Sequence, residues 1–149
     1  NDLFFAAKNS SGIEQLWKSD GTVAGTILLK SFTGSGSAAL NSLMAAENTL
    51  YFSANDGSTG SELWKSDGTV AGTVRVADIE PGAVGSSPAD LVAFGGQLYF
   101  SAMTSANGRE LFRSDGTGVG TELVVEINAG SASAAVGQLH VVGSTLYFA

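Results

Sequence analysis

The chain has no cysteine, one histidine, two prolines and half as many basic as acidic residues, and each shortage removes a class of structure or chemistry. Without cysteine there is no disulfide framework and no thiolate to act as nucleophile or metal ligand, although the redox compartment stays open. His140 is the single histidine, so only one side chain is ready to act as a general base near neutral pH. Seven basic against fourteen acidic residues give a formal charge of −7, which opposes binding to nucleic acid. No apolar run approaches the roughly 18 residues of a spanning helix, so no membrane insertion is expected. No charged-then-apolar leader stands at Asn1, and both ends read as cut from something longer.

What is present points to strands. With 149 residues, 44% hydrophobic and 14% charged, the chain has enough apolar side chain to order itself. Twenty glycines, with Val, Thr, Phe, Tyr and Trp at recurring places, indicate strands joined by tight turns. The longest helix candidate runs from Ser37 to Glu47, but its counterparts carry Pro88 or Gly137, which argues against a helix in the unit.

Two phrases recur. Glu62-Leu63-Trp64-Lys65-Ser66-Asp67-Gly68-Thr69-Val70-Ala71-Gly72-Thr73 has counterparts at Gln15 to Thr26 and Glu110 to Thr121. Leu3-Phe4-Phe5 returns at Leu50, Leu98 and Leu146, at steps of 47, 48 and 48 residues. The expected units are residues 1–48, 49–96 and 97–144, with 145–149 opening a further unit or forming an exchanged strand. Within a unit, two apolar runs across Gly95-Gly96 predict a tight hairpin, Asn55 to Gly60 a looser one, and Asp67-Gly68 the turn into a strand from Gly72 to Asp78. Leu98-Tyr99-Phe100 and Leu63-Trp64 place large apolar residues side by side in sequence, so both faces of each sheet need cover.

The expected fold is therefore all-β: tandem four-stranded antiparallel blades of the β-propeller type, the alternative being an open stacked array of β-sheets. Three such blades do not close a ring, and Thr145 to Phe148 is a thirteenth strand that repeats the role of Asp2 to Ala6. Further repeats, a symmetric dimer or an open array would complete the structure.

At Glu62-Leu63-Trp64-Lys65-Ser66-Asp67-Gly68-Thr69 the sequence resembles the bacterial repeat family named for its ELWxxDGT motif, in three copies that cover essentially the whole chain. The resemblance implies a secreted or surface-anchored location and no established catalytic activity. An acidic chain rich in Ser, Thr, Gly and Ala also fits a bacterial exterior. The departures are Gln15 in place of Glu, Phe112 in place of Trp, and Gly118-Val119 in place of Val-Ala.

Asp20-Gly21, Asp67-Gly68 and Asp115-Gly116 read as structural turns. A calcium loop needs about six to eight oxygens from several carboxylates, whereas each turn has one Asp; calcium is the one cofactor kept in view. Glu62 and Glu110 would be paired carboxylates only if neighbouring units met there. Their recurrence argues instead for a structural duty, such as a cross-strand contact with Arg75 or a hydrogen bond to a turn. His140 aligns with Met44 and Val92, so it reads as incidental to the strand. The usual nucleophilic, zinc and nucleotide constellations lack members.

Trp17, Trp64 and Phe112 are candidate aromatic contacts for sugars, although recurrence in mid-strand favours packing between sheets. The loops that differ between units carry Lys8, Asn9, Asn55, Asp56, Thr104 and Asn107 as candidate binding residues. The linkers Phe32 to Leu40, Glu80 to Asp90 and Asn128 to Gly137 form a second set, with Gly34-Ser35-Gly36-Ser37 read as linker. The expected function is a non-catalytic extracellular scaffold that self-assembles, as a surface layer, adhesin stalk or filament component. Glycan or surface-polymer binding is the alternative; an enzyme is not expected.

Overall fold

In the computed structural model the aromatic and Leu-Trp runs all become strands, as side chains that suit a pleated, half-buried surface should. The structure describes residues 2–33 and 40–149; the segment Gly34 to Ser37 lies outside the described residues, as does the start of the helix candidate. Among the described residues there is no helix, and residues 40–46 of that candidate are strand.

Among the described residues four sheets follow one another along the chain. The first holds β1 (Leu3–Lys8), β2 (Glu14–Ser19) and β3 (Ile27–Phe32) in that order. The second holds β4 (Leu40–Ala46), β5 (Thr49–Asn55), β6 (Ser61–Ser66) and β7 (Val74–Arg75). The third holds β8 (Ala89–Phe94), β9 (Gln97–Thr104), β10 (Gly108–Ser114) and β11 (Glu122–Val125), and the fourth pairs β12 (His140–Val142) with β13 (Thr145–Tyr147). All these pairings are antiparallel between consecutive strands, so each sheet is a meander.

The sequence units and the sheets are out of phase by one strand. The junctions at 48/49 and 96/97 fall inside the tight β4–β5 and β8–β9 turns, where Ala46 pairs with Thr49 and Phe94 with Gln97. Each complete sheet therefore takes its first strand from the end of the preceding unit. Gly95 and Gly96 sit at φ 59° and 76°, the left-handed backbone that a two-residue hairpin of this twist requires. The strand expected from Gly72 to Asp78 is cut to Val74–Arg75, with one further bond from the Val76 N–H to the Leu63 carbonyl at 2.8 Å.

The core is a series of walls between sheets. Leu16, Leu29 and Phe32 of the first sheet pack on Leu40, Leu50, Phe52, Ala54 and Trp64 of the second. Phe32 stands edge-on to Phe52 at 5.8 Å and to Trp64 at 5.3 Å between ring centroids, an arrangement favoured by the ring quadrupoles. The second wall joins Leu63, Tyr51, Met44 and Ile79 to Leu98, Phe100, Ala102 and Phe112. The third joins Leu111, Tyr99 and Val92 to Val136, Leu139 and Leu146. Leu63 and Trp64 are adjacent in sequence and belong to different walls, because successive strand residues point to opposite faces.

Candidate functional site

The recurring phrase folds into a turn with a closed hydrogen-bond circuit. In the second copy Asp67 Oδ1 accepts from the Thr69 N–H at 2.9 Å and from its hydroxyl at 2.7 Å. Thr69 Oγ1 accepts from the Gly72 N–H at 2.9 Å, and the Thr73 hydroxyl donates to the Thr69 carbonyl at 2.7 Å. Ser66 Oγ accepts from the Gly68 N–H at 3.1 Å and meets Thr73 Oγ1 at 2.8 Å. The same circuit surrounds Asp20 and Asp115. The threonine hydroxyl first, and its backbone N–H second, hold all three aspartates below the ordinary carboxylate range.

Both glycines of the phrase have a physical reason. Gly21, Gly68 and Gly116 lie at φ 92°, 86° and 86°. At Gly25, Gly72 and Gly120 a Cβ would fall about 2 Å from the carboxylate of the turn aspartate. The residues between carry no such duty: Val23, Val70 and Val119 are 96%, 63% and 97% exposed.

Glu62 explains the first letter of the phrase. Its buried carboxylate accepts from the N–H groups of Ile79 (3.1 Å), Glu80 (3.1 Å) and Ser86 (2.9 Å) and from the Ser86 hydroxyl (2.6 Å). It thus straps the linker that leads to the next sheet. Burial is the largest influence on Glu62 and pushes its carboxyl up against the opposing effect of these donors. Glu110 accepts likewise from Ile127 and Asn128, both at 3.1 Å. In the first copy Gln15 donates to Ser31 Oγ at 3.0 Å, while Glu14 takes the Leu40 N–H at 2.8 Å. The cross-strand partnership expected between Glu62 and Arg75 does not form: Arg75 stands opposite Trp64 and pairs with Asp78 at 3.7 Å. Each glutamate is engaged by its own linker, the hydrogen-bond alternative expected for it.

The linker from Glu80 to Asp90 is held further by close backbone approach. Ser61 bridges to Gly85, and a Cβ on Gly60 would lie 2.4 Å from the Gly85 nitrogen. Arg109 donates to the Ser87 carbonyl at 3.1 Å from both terminal nitrogens. Ser86 and Arg109 were not among the residues singled out from sequence, because their partners lie 24 and 22 residues away and no short motif announces them.

The loop residues serve their own turns. Asn9 Oδ1 accepts from Ser11 and Ile13, and Lys8 reaches Glu14 at 3.6 Å. Asn55 accepts from the Gly57 N–H. Asp56 accepts from the N–H and hydroxyl of both Ser58 and Thr59; burial works against its charge, but these donors prevail and hold it down to about 2. Thr104 bonds Asn107, whose side-chain amide donates to Glu126 at 3.0 Å. His140 is exposed and stands opposite Tyr147, as Met44 does opposite Tyr51 and Val92 opposite Tyr99. Among the described residues no three His, Cys, Asp or Glu side chains gather as a metal group.

The three motif aromatics divide by position in the stack. Trp64 and Phe112 are buried in the walls, with Trp64 Nε1 donating to the Ala54 carbonyl at 3.0 Å. Trp17 is half-buried on the outer face of the first sheet, stacked on Phe5 at 6.5 Å. A cleft of about 420 Å³ opens between the turn ends of the second and third sheets, lined by Glu47, Tyr51, Lys65, Gln97 and Asp115 among others. Lys18 pairs with Asp2 and Arg113 with Glu122, whereas the equivalent Lys65 donates to the Gly116 carbonyl at 2.8 Å inside this cleft.

Comparison with family models and with curated proteins finds no match to the chain. Among solved structures it is similar to one described as the AtxE2 isopeptidase in its apo form, with a TM-score of 0.60 at 13% identity. The alignment covers 93% of this chain but 21% of that one, so the chain spans about a fifth of the length of this structural relative. The likeness is one of fold: antiparallel sheets of three and four strands succeeding one another along an all-β chain.

Proposed function

We propose that the chain is a non-catalytic extracellular repeat scaffold of propeller-type blades that assembles with further sheets of its own kind. The observation that carries this reading is a single face met three times. Phe52 with Trp64 and Phe100 with Phe112 are buried by the preceding sheet, while Phe5 with Trp17, the same pair one unit earlier, stays half-exposed beside Leu3 at 64% exposure. Stacked repeats bury such faces only against one another. The motif carboxylates are occupied by turns and linkers, which supports a structural rather than an acid–base role. The extracellular, bacterial location rests on the resemblance to the ELWxxDGT family. Light scattering across a concentration series, with electron microscopy, tests assembly; a particle that remains a monomer at every concentration would remove the reading.

A second reading, binding of a neutral glycan, draws on the cleft, where carboxylates, an amide, an ammonium group and the Tyr51 ring face one space. Titration with neutral oligosaccharides tests it, and binding unaffected by Tyr51→Ala would remove it.

A further inference from the structure

Glu47 stands where the fold asks for glycine. The two-residue turns that join β4 to β5, β8 to β9 and β12 to β13 read Glu47-Asn48, Gly95-Gly96 and Gly143-Ser144, at steps of 48 residues. Their leading residues sit at φ 53°, 59° and 61°, left-handed backbone that glycine takes freely and a residue with a Cβ takes only under strain. The second sheet thus keeps a strained turn that carries an exposed carboxylate at the rim of the cleft, and among the described residues no hydrogen bond or ion pair engages it. Asp115 faces the same cleft from the third sheet. Its Oδ1 is taken by the Thr117 N–H at 2.8 Å and hydroxyl at 2.6 Å, which leaves Oδ2 open. Burial first, and then the charges of Asp115 and Glu47, push the Tyr51 phenol up, so both carboxylates act on one hydroxyl. The ammonium at the cleft is already committed. Lys18, the counterpart of Lys65, pairs with Asp2 of its own sheet, but Thr49 holds the place of Asp2 in the second sheet, so Lys65 crosses the joint to the Gly116 carbonyl.

We propose that this cleft takes a saccharide bearing a free amino group, of the glucosamine type, its ammonium drawn by Glu47 and the open oxygen of Asp115 and its ring set against Tyr51. The proposal rests on the reading of the cleft as a glycan site and deepens it by giving the preferred glycan a positive charge. The volume of about 420 Å³ falls within the range of small-ligand sites, roughly 300–1,000 Å³. Tyr51 offers a flat apolar ring with a polar tip, and the Gln97 amide and the remaining N–H groups of Lys65 are donors for sugar hydroxyls. Two carboxylates against one committed ammonium leave the cleft negative, and the formal charge of −7 adds to that field. An acidic sugar is therefore repelled. A neutral sugar leaves Glu47 without a partner, whereas an ammonium gives a charge-assisted hydrogen bond to a carboxylate held on strained backbone. The combination is particular to this joint: Gly95 and Gly143 take the place of Glu47 in the later turns, and Phe4 that of Tyr51 in the first sheet. Differences of this kind on a repeated scaffold are where binding is placed.

Isothermal titration at low salt, with an oligomer of glucosamine and the same oligomer N-acetylated and so neutral, tests the assignment. The amino form is expected to bind about three- to tenfold more tightly, the range that one or two partly exposed ion pairs supply. The difference should shrink as sodium chloride is added. Glu47→Gly installs the residue that the two later turns carry, so this variant is expected to fold with a melting temperature no lower than that of the parent. It should nevertheless cut the preference for the amino form to below about twofold. Glu47→Gln keeps a side chain at the turn, removes only the charge, and should cut the preference in the same way. Tyr51→Ala should weaken both oligomers alike. Equal binding of the two oligomers, or a preference unchanged in both Glu47 variants, overturns the amino-sugar assignment while leaving the glycan reading in place. A simple diamine that binds as tightly as the amino oligomer also overturns it, because charge alone is then being read. If neither oligomer binds, the glycan reading falls and the assignment with it.

Discussion

Gly72 and Asp67 bear on each other so directly that their substitutions should not add. A Cβ on Gly72 would meet the Asp67 carboxylate, which must swing away and release the Thr69 N–H and hydroxyl. Gly72→Ala is expected to cost about 1–3 kcal/mol by this crowding. In an Asp67→Ala background, where no carboxylate stands in the way, the added cost of Gly72→Ala should largely vanish; a double-mutant cycle by urea denaturation reads the coupling. Glu62 and Asp56 give opposite dependence on pH. Burial lifts Glu62 above its ordinary 4.5, so its contribution is complete below that value and is lost as pH rises through the lifted one. Asp56, held at about 2 against an ordinary 3.8, contributes above 3.8 and loses that contribution as pH falls through about 2. Stability measured from pH 2 to 8 should show a shallower acid-side fall in Asp56→Asn, the remainder belonging to Asp20, Asp67 and Asp115, and should lose its fall above 4.5 in Glu62→Gln. The second substitution should also cost about 1–3 kcal/mol at neutral pH, since an amide NH₂ then faces backbone donors.

At the scale of the element, Phe32 is the residue on which the joint between the first and second sheets depends. Truncating a fully buried phenylalanine costs about 3–5 kcal/mol, and in a stack each sheet gains only from its neighbours. Phe32→Ala should therefore release the first sheet while leaving the wall around Phe100 and Phe112 intact. Hydrogen exchange should show β1, β2 and β3 losing protection before β9 and β10; a uniform loss would show that the stack melts as one unit. Local chemistry made the strands and turns legible: Asp-Gly and Gly-Gly require left-handed backbone, and Leu63-Trp64 declares two apolar faces. What hid from the sequence was set by distance and by place in the stack. The bonds from Ser86 to Glu62 span 24 residues, and the phase of the sheets against the units depends on which hairpin strand a neighbour claims. Trp17 and Trp64 have the same local sequence, yet one is half-exposed and the other is buried against Phe32 of the first sheet.

For the whole molecule, charge and apolar surface pull in opposite directions, and salt separates them. A formal charge of −7 makes every approach of one copy to another a meeting of like charges. The face that the scaffold reading leaves to a neighbour is apolar, around Leu3, Phe5 and Trp17, and no ion pair is needed to hold it. Raising the ionic strength shortens the range of the repulsion, to about 10 Å at 0.1 M and about 3 Å at 1 M, and leaves apolar burial in place. Association should therefore strengthen with salt, chiefly through faster encounter. Partners held by opposite charge behave the other way, losing affinity as salt is added. Sedimentation velocity from low to high sodium chloride distinguishes the two, with Leu3→Asp as the variant in which the gain should disappear. An assembly that dissociates as salt rises would mean that charged groups, such as the turn aspartates meeting Lys8 or Lys30 of a neighbour, carry the contact, and the apolar joint would then have to be abandoned.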